Sequence, residues 1–90
     1  MSNLEKQFRK VKDEHPDSLL MFRLGDFYEM FFEDALNAAR VLCLEIVVRG
    51  RGLPAEDQAP MCGIPVMGSE RDIEQLKAAG YNGVTLEEEK

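Results

Sequence analysis

A chain of 90 residues is long enough for one small domain and too short for a large enzyme core, since such a domain buries a little over about 60% of its unfolded surface. The sequence is 44% hydrophobic and 31% charged, which is typical of a globular domain and argues against disorder. Its charge of −6 is uneven, because residues 1–25 carry five basic and four acidic side chains whereas residues 26–90 carry six and thirteen.

Apolar runs, cysteines and the single histidine predict a cytoplasmic protein with no bound metal or cofactor. The longest apolar run near the N-terminus, Leu19–Phe22, is far shorter than a membrane span or a signal-peptide core. We expect Cys43 and Cys62 to be reduced and mostly buried. His15 and two isolated cysteines do not have the spacing of metal ligands.

The first predicted element is a helix that Ser2 or Asn3 caps and that runs to about Glu14. Pro16 disfavours helical conformation in the residue before it and therefore ends this helix. The apolar residues of the helix are spaced three to four apart and predict a buried stripe: Leu4, Phe8 and Val11.

A buried strand and a sharp corner are predicted next. Leu19–Leu24 shows little alternation of polar and apolar residues, as expected of a strand covered on both faces. Asp26 follows a glycine and is a suitable helix N-cap, and Glu29 lies three residues later, where it would complete a capping box. We therefore expect a helix to begin at Asp26.

This second helix is predicted to run to about Leu42. At about 100° per residue its core-facing side holds a set of aromatic and small apolar residues: Tyr28, Phe31, Ala35, Ala38, Ala39 and Leu42. Phe27 falls near the edge of the apolar arc, where it would pack against Phe31 or point off the helix end. On this pattern alone, an aromatic core anchor beside a capping glutamate is the commoner arrangement.

Two further strands and a loop are predicted in the second half of the chain. Glu45–Arg49 is rich in β-branched residues and predicts a strand, and Gly50–Asp57 predicts a flexible loop. Ala59–Ile64 predicts a short strand, which Pro60 and Pro65 would restrict to a sheet edge or to irregular structure.

The chain ends with a predicted helix and strand. Ser69 is expected to cap the helix and Gly80 to end it, and Gly83–Leu86 is expected to form the last strand. Three helices interleaved with three or four strands predict a small α/β (α+β-like) domain with a mixed sheet at residues 1–86. An acidic tail is expected at residues 87–90.

Several ordered motifs carry a family resemblance. Gly25–Phe31 reads GDFYEMF, and it is preceded by His15–Arg23 and followed by Arg49-Gly50 and by Pro60–Pro65. From about residue 4 to about residue 81, the chain resembles the N-terminal mismatch-recognition domain (domain I) of the MutS family of DNA mismatch repair proteins.

The resemblance implies a binding function and names its residues. In the family, a phenylalanine enters the duplex from the minor groove and stacks on a mispaired or unpaired base, and a glutamate hydrogen-bonds to that base. The matching residues are Phe27 and Glu29. From the distribution of charge, Arg49 and Arg51 are the further candidate DNA contacts, as basic residues in a loop. The implied partners are double-stranded DNA with a mismatch or small loop, bound weakly by this chain alone, and the other domains of a MutS-type protein.

Two other classes of function remain open on the sequence. A protein-interaction or structural module that has lost DNA affinity is favoured by the acidic balance and by Val48, Val66 and Met67, which stand where family members often carry other, in part polar, residues. An enzyme is not expected, because the chain has no phosphate-binding P-loop and no nucleophile paired with a histidine. The basic residues of the first helix are more typical of a solvated surface than of a DNA contact: Lys6, Arg9, Lys10 and Lys12.

Overall fold

One mixed sheet of five strands is flanked by three helices in the computed structural model, which describes the backbone of residues 2–87 and the side chains of residues 2–82. The elements, in chain order, are α1 (Asn3–Glu14), β1 (Ser18–Leu24), β2 (Phe27–Phe31), α2 (Phe32–Leu42), β3 (Val47–Arg49), a 3-10 turn (Ala55–Asp57), β4 (Ala59–Pro65), α3 (Glu70–Ala78) and β5 (Asn82–Glu87). The predicted fold class is confirmed. The sheet has five strands, where three or four were predicted.

The strand order across the sheet is β3-β4-β2-β1-β5. β1 and β5 are parallel, and the other three neighbouring pairs are antiparallel. The predicted last strand, Gly83–Leu86, is confirmed as part of β5. Glu87 also belongs to β5, and residues 88–90 of the predicted acidic tail lie outside the described residues.

Both faces of the sheet are packed against helices. On one face the α2 and α3 side chains pack on the sheet, and the buried residues are Leu19, Met21, Met30, Ala35, Ala38, Ala39, Cys62, Ile64 and Leu76. On the other face α1 contributes Phe8 to a cluster with Leu20, Phe22 and Phe31. Alternate residues of β1 belong to opposite clusters, which explains its continuous apolar sequence.

The first helix and first strand agree with their predictions. The Ser2 hydroxyl accepts a hydrogen bond from the backbone N–H of Glu5 at 3.1 Å and caps α1, which ends at Glu14. Phe8 is buried, with Leu4 and Val11 packed against its cluster. α1 therefore presents its predicted stripe to the sheet.

The prediction of a helix that begins at Asp26 was wrong for its first turns. Residues 27–31 form β2, and Asp26 lies in the tight turn of a β1–β2 hairpin, where Gly25 adopts a φ of +61°. Five residues are too few to separate a period of 2 from one of 3.6, and pairing with β1 on one side and β4 on the other decides for the strand. Glu29 therefore belongs to a strand and completes no capping box.

Helix α2 begins only at Phe32, whose φ of 55° turns the chain from strand to helix. That left-handed conformation is uncommon for an aromatic residue. The ring of Phe32 packs on Phe8 with centroids 5.0 Å apart, and the Arg9 guanidinium lies 5.8 Å from it. These contacts with α1 hold the junction in place.

The second half of the chain departs from prediction mainly at β4. This strand is interior, between β3 and β2, so the predicted edge position was wrong. Both prolines are accommodated because Pro60 pairs only with β3 and Pro65 only with β2, so neither has a neighbouring strand on both sides. The predicted strand at residues 45–49 is confirmed for Val47–Arg49.

Helix α3 begins after the buried Ser69 and is followed by Gly80 at a φ of +96°, as predicted for its end. Ser69 occupies the predicted N-cap position, but its side chain makes no capping hydrogen bond. Its carbonyl accepts the first backbone bond of the helix, from the Ile73 N–H at 2.9 Å.

The two cysteines differ in environment. Both are free thiols; Cys62 is buried, and burial raises the pKa of its thiol to about 11. Cys43 is exposed, so its predicted burial was wrong: it occupies the C-cap of α2 in a left-handed conformation. Across the described residues, no group of three or more potential ligands is placed to hold a metal. No helix among them is long and apolar enough to cross a membrane.

Candidate nucleic-acid interface

Phe27 and Glu29 lie on the same face of β2, because alternate side chains of a strand point the same way. In the register of the sheet, Phe27 stands between Leu24 of β1 and Pro65 of β4. The same face continues to the buried Phe31, beside α1. The structure thus brings the two resemblance-based residues together at the end of the sheet that α1 leaves open.

The Phe27 ring is exposed for 49% of its surface, although it belongs to a strand of the sheet. The backbone beneath it is fixed by the β1–β2 turn and by the Val66 N–H, which donates to the Asp26 carbonyl at 2.8 Å. Beside it, Pro65, Val66 and Met67 line a surface depression, and Met67 is 92% exposed. An exposed aromatic ring on a hairpin held in this way is well placed to insert into a bound molecule.

Glu29 is half-buried between two very different neighbours. On β1 its register partner is Phe22, which is 5% exposed, and on β4 it is Gly63, which has no side chain. No ion pair found within the described part of the chain involves Glu29. Its carboxylate is therefore available to accept a hydrogen bond from a bound molecule.

The backbone of Arg49 is well separated from that of Phe27. Arg49 pairs with Ala59 on β4, six residues from Pro65, so it lies roughly 20 Å from Phe27 along the strand direction. Its guanidinium stands 5.5 Å from the Phe31 ring centroid. Arg51 is exposed in the loop after β3. The roughly 20 Å between Arg49 and Phe27 corresponds to roughly six nucleotides along one strand of a duplex.

Arg23 is a basic residue near Phe27 that the sequence reasoning did not include. It is exposed near the end of β1 and lines the same depression as Phe27 and Asp26. Its Nε donates to the carbonyl of Gly25 at 3.2 Å, which leaves the outer guanidinium nitrogens directed away from that bond. A lone arginine in an apolar strand beside a glycine turn was the available signal.

Two of the four basic residues of α1 attach the helix to α2. Arg9 donates two hydrogen bonds of 2.7 Å to Glu33, and this guanidinium holds the pKa of the Glu33 carboxyl below its usual value. Lys12 pairs with the buried Asp34 at 2.9 Å, and Asp34 also accepts from the Leu20 N–H at 3.0 Å. Two of the four cations are thus not free for phosphate.

Known proteins place the chain in one family. The family described as MutS domain I matches residues 2–89. Proteins named DNA mismatch repair protein MutS are 43% identical over 88 residues in Myxococcus xanthus and 47% identical over 88 residues in Clostridium novyi. In both, the match covers 98% of this chain and 10% of the relative, so the chain spans about a tenth of the length of these curated relatives.

A third protein of that name, from Listeria monocytogenes, is 46% identical over 83 residues, which are 92% of this chain and 9% of the relative. These matches extend over the hairpin, both helix layers and β4. They confirm the resemblance seen in the motifs around Phe27 and Pro65. The chain belongs to the MutS domain I family.

Proposed function

We propose that this chain is a mismatched-DNA-binding module of DNA mismatch repair. Phe27 enters the duplex at a mispaired or unpaired base, and Glu29 hydrogen-bonds to that base. The observation that carries the proposal is a phenylalanine, 49% exposed, at the open end of a rigid hairpin, with a carboxylate two residues further along the same face. The relatives' printed names support the class of substrate.

Selectivity would come from the cost of opening the duplex. Inserting an apolar ring between base pairs costs a few kcal/mol of unstacking per step, and the cost is lowest where pairing is already defective. Stacking of a base on an aromatic side chain returns about 1–3 kcal/mol. Phe27 would therefore read deformability rather than the identity of one base.

Glu29 adds a requirement that normal duplex DNA does not meet. A carboxylate close to phosphates is repelled unless it accepts a hydrogen bond or becomes protonated. A base in an intact pair has its Watson–Crick edge engaged, whereas a mispaired base can turn toward Glu29. The glutamate would thus penalise intact sites as well as favour defective ones.

Most of the affinity would come from outside this chain. Its charge is −6, and Arg9 and Lys12 of α1 are held in ion pairs. Phosphate contacts are the main source of affinity for DNA, and the excess of acidic residues in this chain opposes them. We therefore propose that the other domains of a MutS-type protein are its partners and supply most of the affinity for DNA.

The test is a binding titration against two duplexes that differ only by one unpaired thymine. We expect the defective duplex to bind more tightly, and Phe27→Ala to reduce the preference by about 1–3 kcal/mol. Leu36→Ala is the matched control, because Leu36 is 54% exposed and lies on α2, away from the hairpin. If wild type and Phe27→Ala prefer the defective duplex to the same extent, the proposed insertion of Phe27 into the duplex is contradicted.

A protein-interaction module is the second candidate. The engagement of Arg9 with Glu33 and of Lys12 with Asp34 favours it, because these pairs remove cations from the DNA-binding account. Salt separates the two candidates: phosphate-driven binding weakens steeply as salt rises, whereas an apolar protein interface responds little.

A further inference from the structure

A glycine stands directly across the sheet from Glu29. Gly63 lies in the middle of β4, is exposed, and shares its face with Glu29 because register partners of antiparallel strands point to the same side. A Cβ atom at this position would lie 3.6 Å from Glu29 Cγ and 3.3 Å from the Tyr28 carbonyl oxygen. A side chain here would therefore lie against that of Glu29.

The backbone itself does not require glycine at this position. Gly25, Gly50 and Gly80 adopt positive φ values, which favour glycine, but Gly63 is not among the residues with positive φ. Glycine also weakens the interior of a strand, because it has no side chain to pack and loses more entropy on folding. Gly63 stands within β4 where that strand pairs only with β2, and its presence there beside Glu29 calls for another explanation.

We propose that Gly63 is a specificity-determining residue, whose missing side chain leaves open the space through which a displaced base reaches the Glu29 carboxylate. This inference rests on the proposed function. On the β1 side of Glu29 the space is filled by Phe22, which is buried and packs edge-on against Phe31 with ring centroids 5.5 Å apart. The β4 flank is thus the open approach to the carboxylate.

Steric access explains both the position and the size of the gap. Directly opposed residues of an antiparallel pair have Cβ atoms about 4.5–5.5 Å apart, so any larger side chain at position 63 covers its partner. An alanine would narrow the approach, and a valine would close it on the Glu29 side. The loss of discrimination should therefore grow with the volume of the side chain.

A packing role for Gly63 predicts something different. The 3.3 Å approach of a Cβ atom to the Tyr28 carbonyl is tight but is not a collision. If glycine were needed only for that contact, Gly63→Ala and Gly63→Val would lower thermal stability and would weaken binding to paired and defective duplexes alike. Access to Glu29 predicts a selective loss for the defective duplex.

The test is a double-mutant cycle on the ratio of affinities for a duplex with one unpaired thymine and for its paired counterpart. Each loss is the factor by which a substitution lowers this ratio. We expect Gly63→Val to lower the ratio about tenfold or more, Gly63→Ala to lower it less, and Glu29→Ala to lower it about as much as Gly63→Val. In the Glu29→Ala background, Gly63→Val should have little further effect, because both act through one carboxylate. Circular dichroism identifies variants that do not fold, and Gly63→Ala carries the test if valine fails.

An unchanged ratio in folded Gly63→Val, with the preference of the wild type intact, would overturn the role of Gly63 and leave the proposed function standing. Additive losses in the cycle would also overturn the role of Gly63. If the wild type shows no preference for the defective duplex, both the role of Gly63 and the proposed function are contradicted.

Discussion

Phe27 and Phe31 show how one strand face can serve two purposes. They lie four residues apart on β2, yet Phe27 is 49% exposed and Phe31 is fully buried against Phe22 and α1. The difference arises because α1 covers only part of this sheet face. The residue that the proposed function requires is therefore not one that the core requires.

Alanine substitutions should separate these two roles. Phe27→Ala is expected to change the free energy of unfolding by less than about 1 kcal/mol, because half of the ring already contacts water. Phe31→Ala should cost about 3–5 kcal/mol by opening a cavity in the core. Urea denaturation measures both, and a large loss for Phe27→Ala would show that its ring is a packing element.

At the scale of elements, the sequence predicted α1, β1 and α3 close to their observed bounds, because caps, prolines and apolar spacing act locally. It failed at residues 27–31, where a capping signature coincides with a short strand whose pairing with β4 is set by residues more than 30 positions away. The interior place of β4 was missed for the same reason.

The site was predictable in part. The motif around Phe27 and Glu29 indicated both residues through the family resemblance, and β2 places them on one face. The separation of Arg49 from Phe27 depends on the strand order and register, which no local pattern encodes. Arg23 was missed because a single arginine in an apolar strand carries little signal by itself.

The attachment of α1 to the sheet rests on Asp34. It is 2% exposed, accepts from the Leu20 N–H, and pairs with Lys12, so α1, β1 and α2 meet at one carboxylate. Asp34→Ala is expected to cost about 3–5 kcal/mol in urea denaturation, because it strands a partly buried ammonium and a buried N–H. Glu33→Gln is the matched control: its pair with Arg9 is more exposed and should contribute at most about 1 kcal/mol. Equal losses for the two variants would contradict this account.

At the scale of the whole molecule, the balance of charge bears on the proposed binding to DNA. The net charge of −6 opposes contact with phosphate, and two cations of α1 are held in ion pairs. The dependence of affinity on salt should therefore be shallower than that of a DNA-binding protein with a basic face, yet clearly steeper than that of an apolar protein interface. Shape and local deformability of the duplex, rather than attraction to its backbone, would dominate recognition.

The salt dependence can be assigned to individual residues. Arg49→Ala and Arg51→Ala should each weaken binding to paired and defective duplexes about equally, and each should reduce the slope of log affinity against log salt by about 1. A selective loss for the defective duplex would contradict their assignment as phosphate contacts; for Arg49, the backbone lies roughly 20 Å from that of Phe27 along the strand direction.

The most direct measurement of the central claim is an NMR experiment on the chain bound to a duplex with one unpaired thymine. Nuclear Overhauser effects should connect the ring protons of Phe27 with that thymine and its neighbouring bases, and Leu36, on α2, serves as a site without such contacts. Contacts confined to α1 or to the loop that carries Arg51, with Phe27 unchanged on binding, would contradict the account.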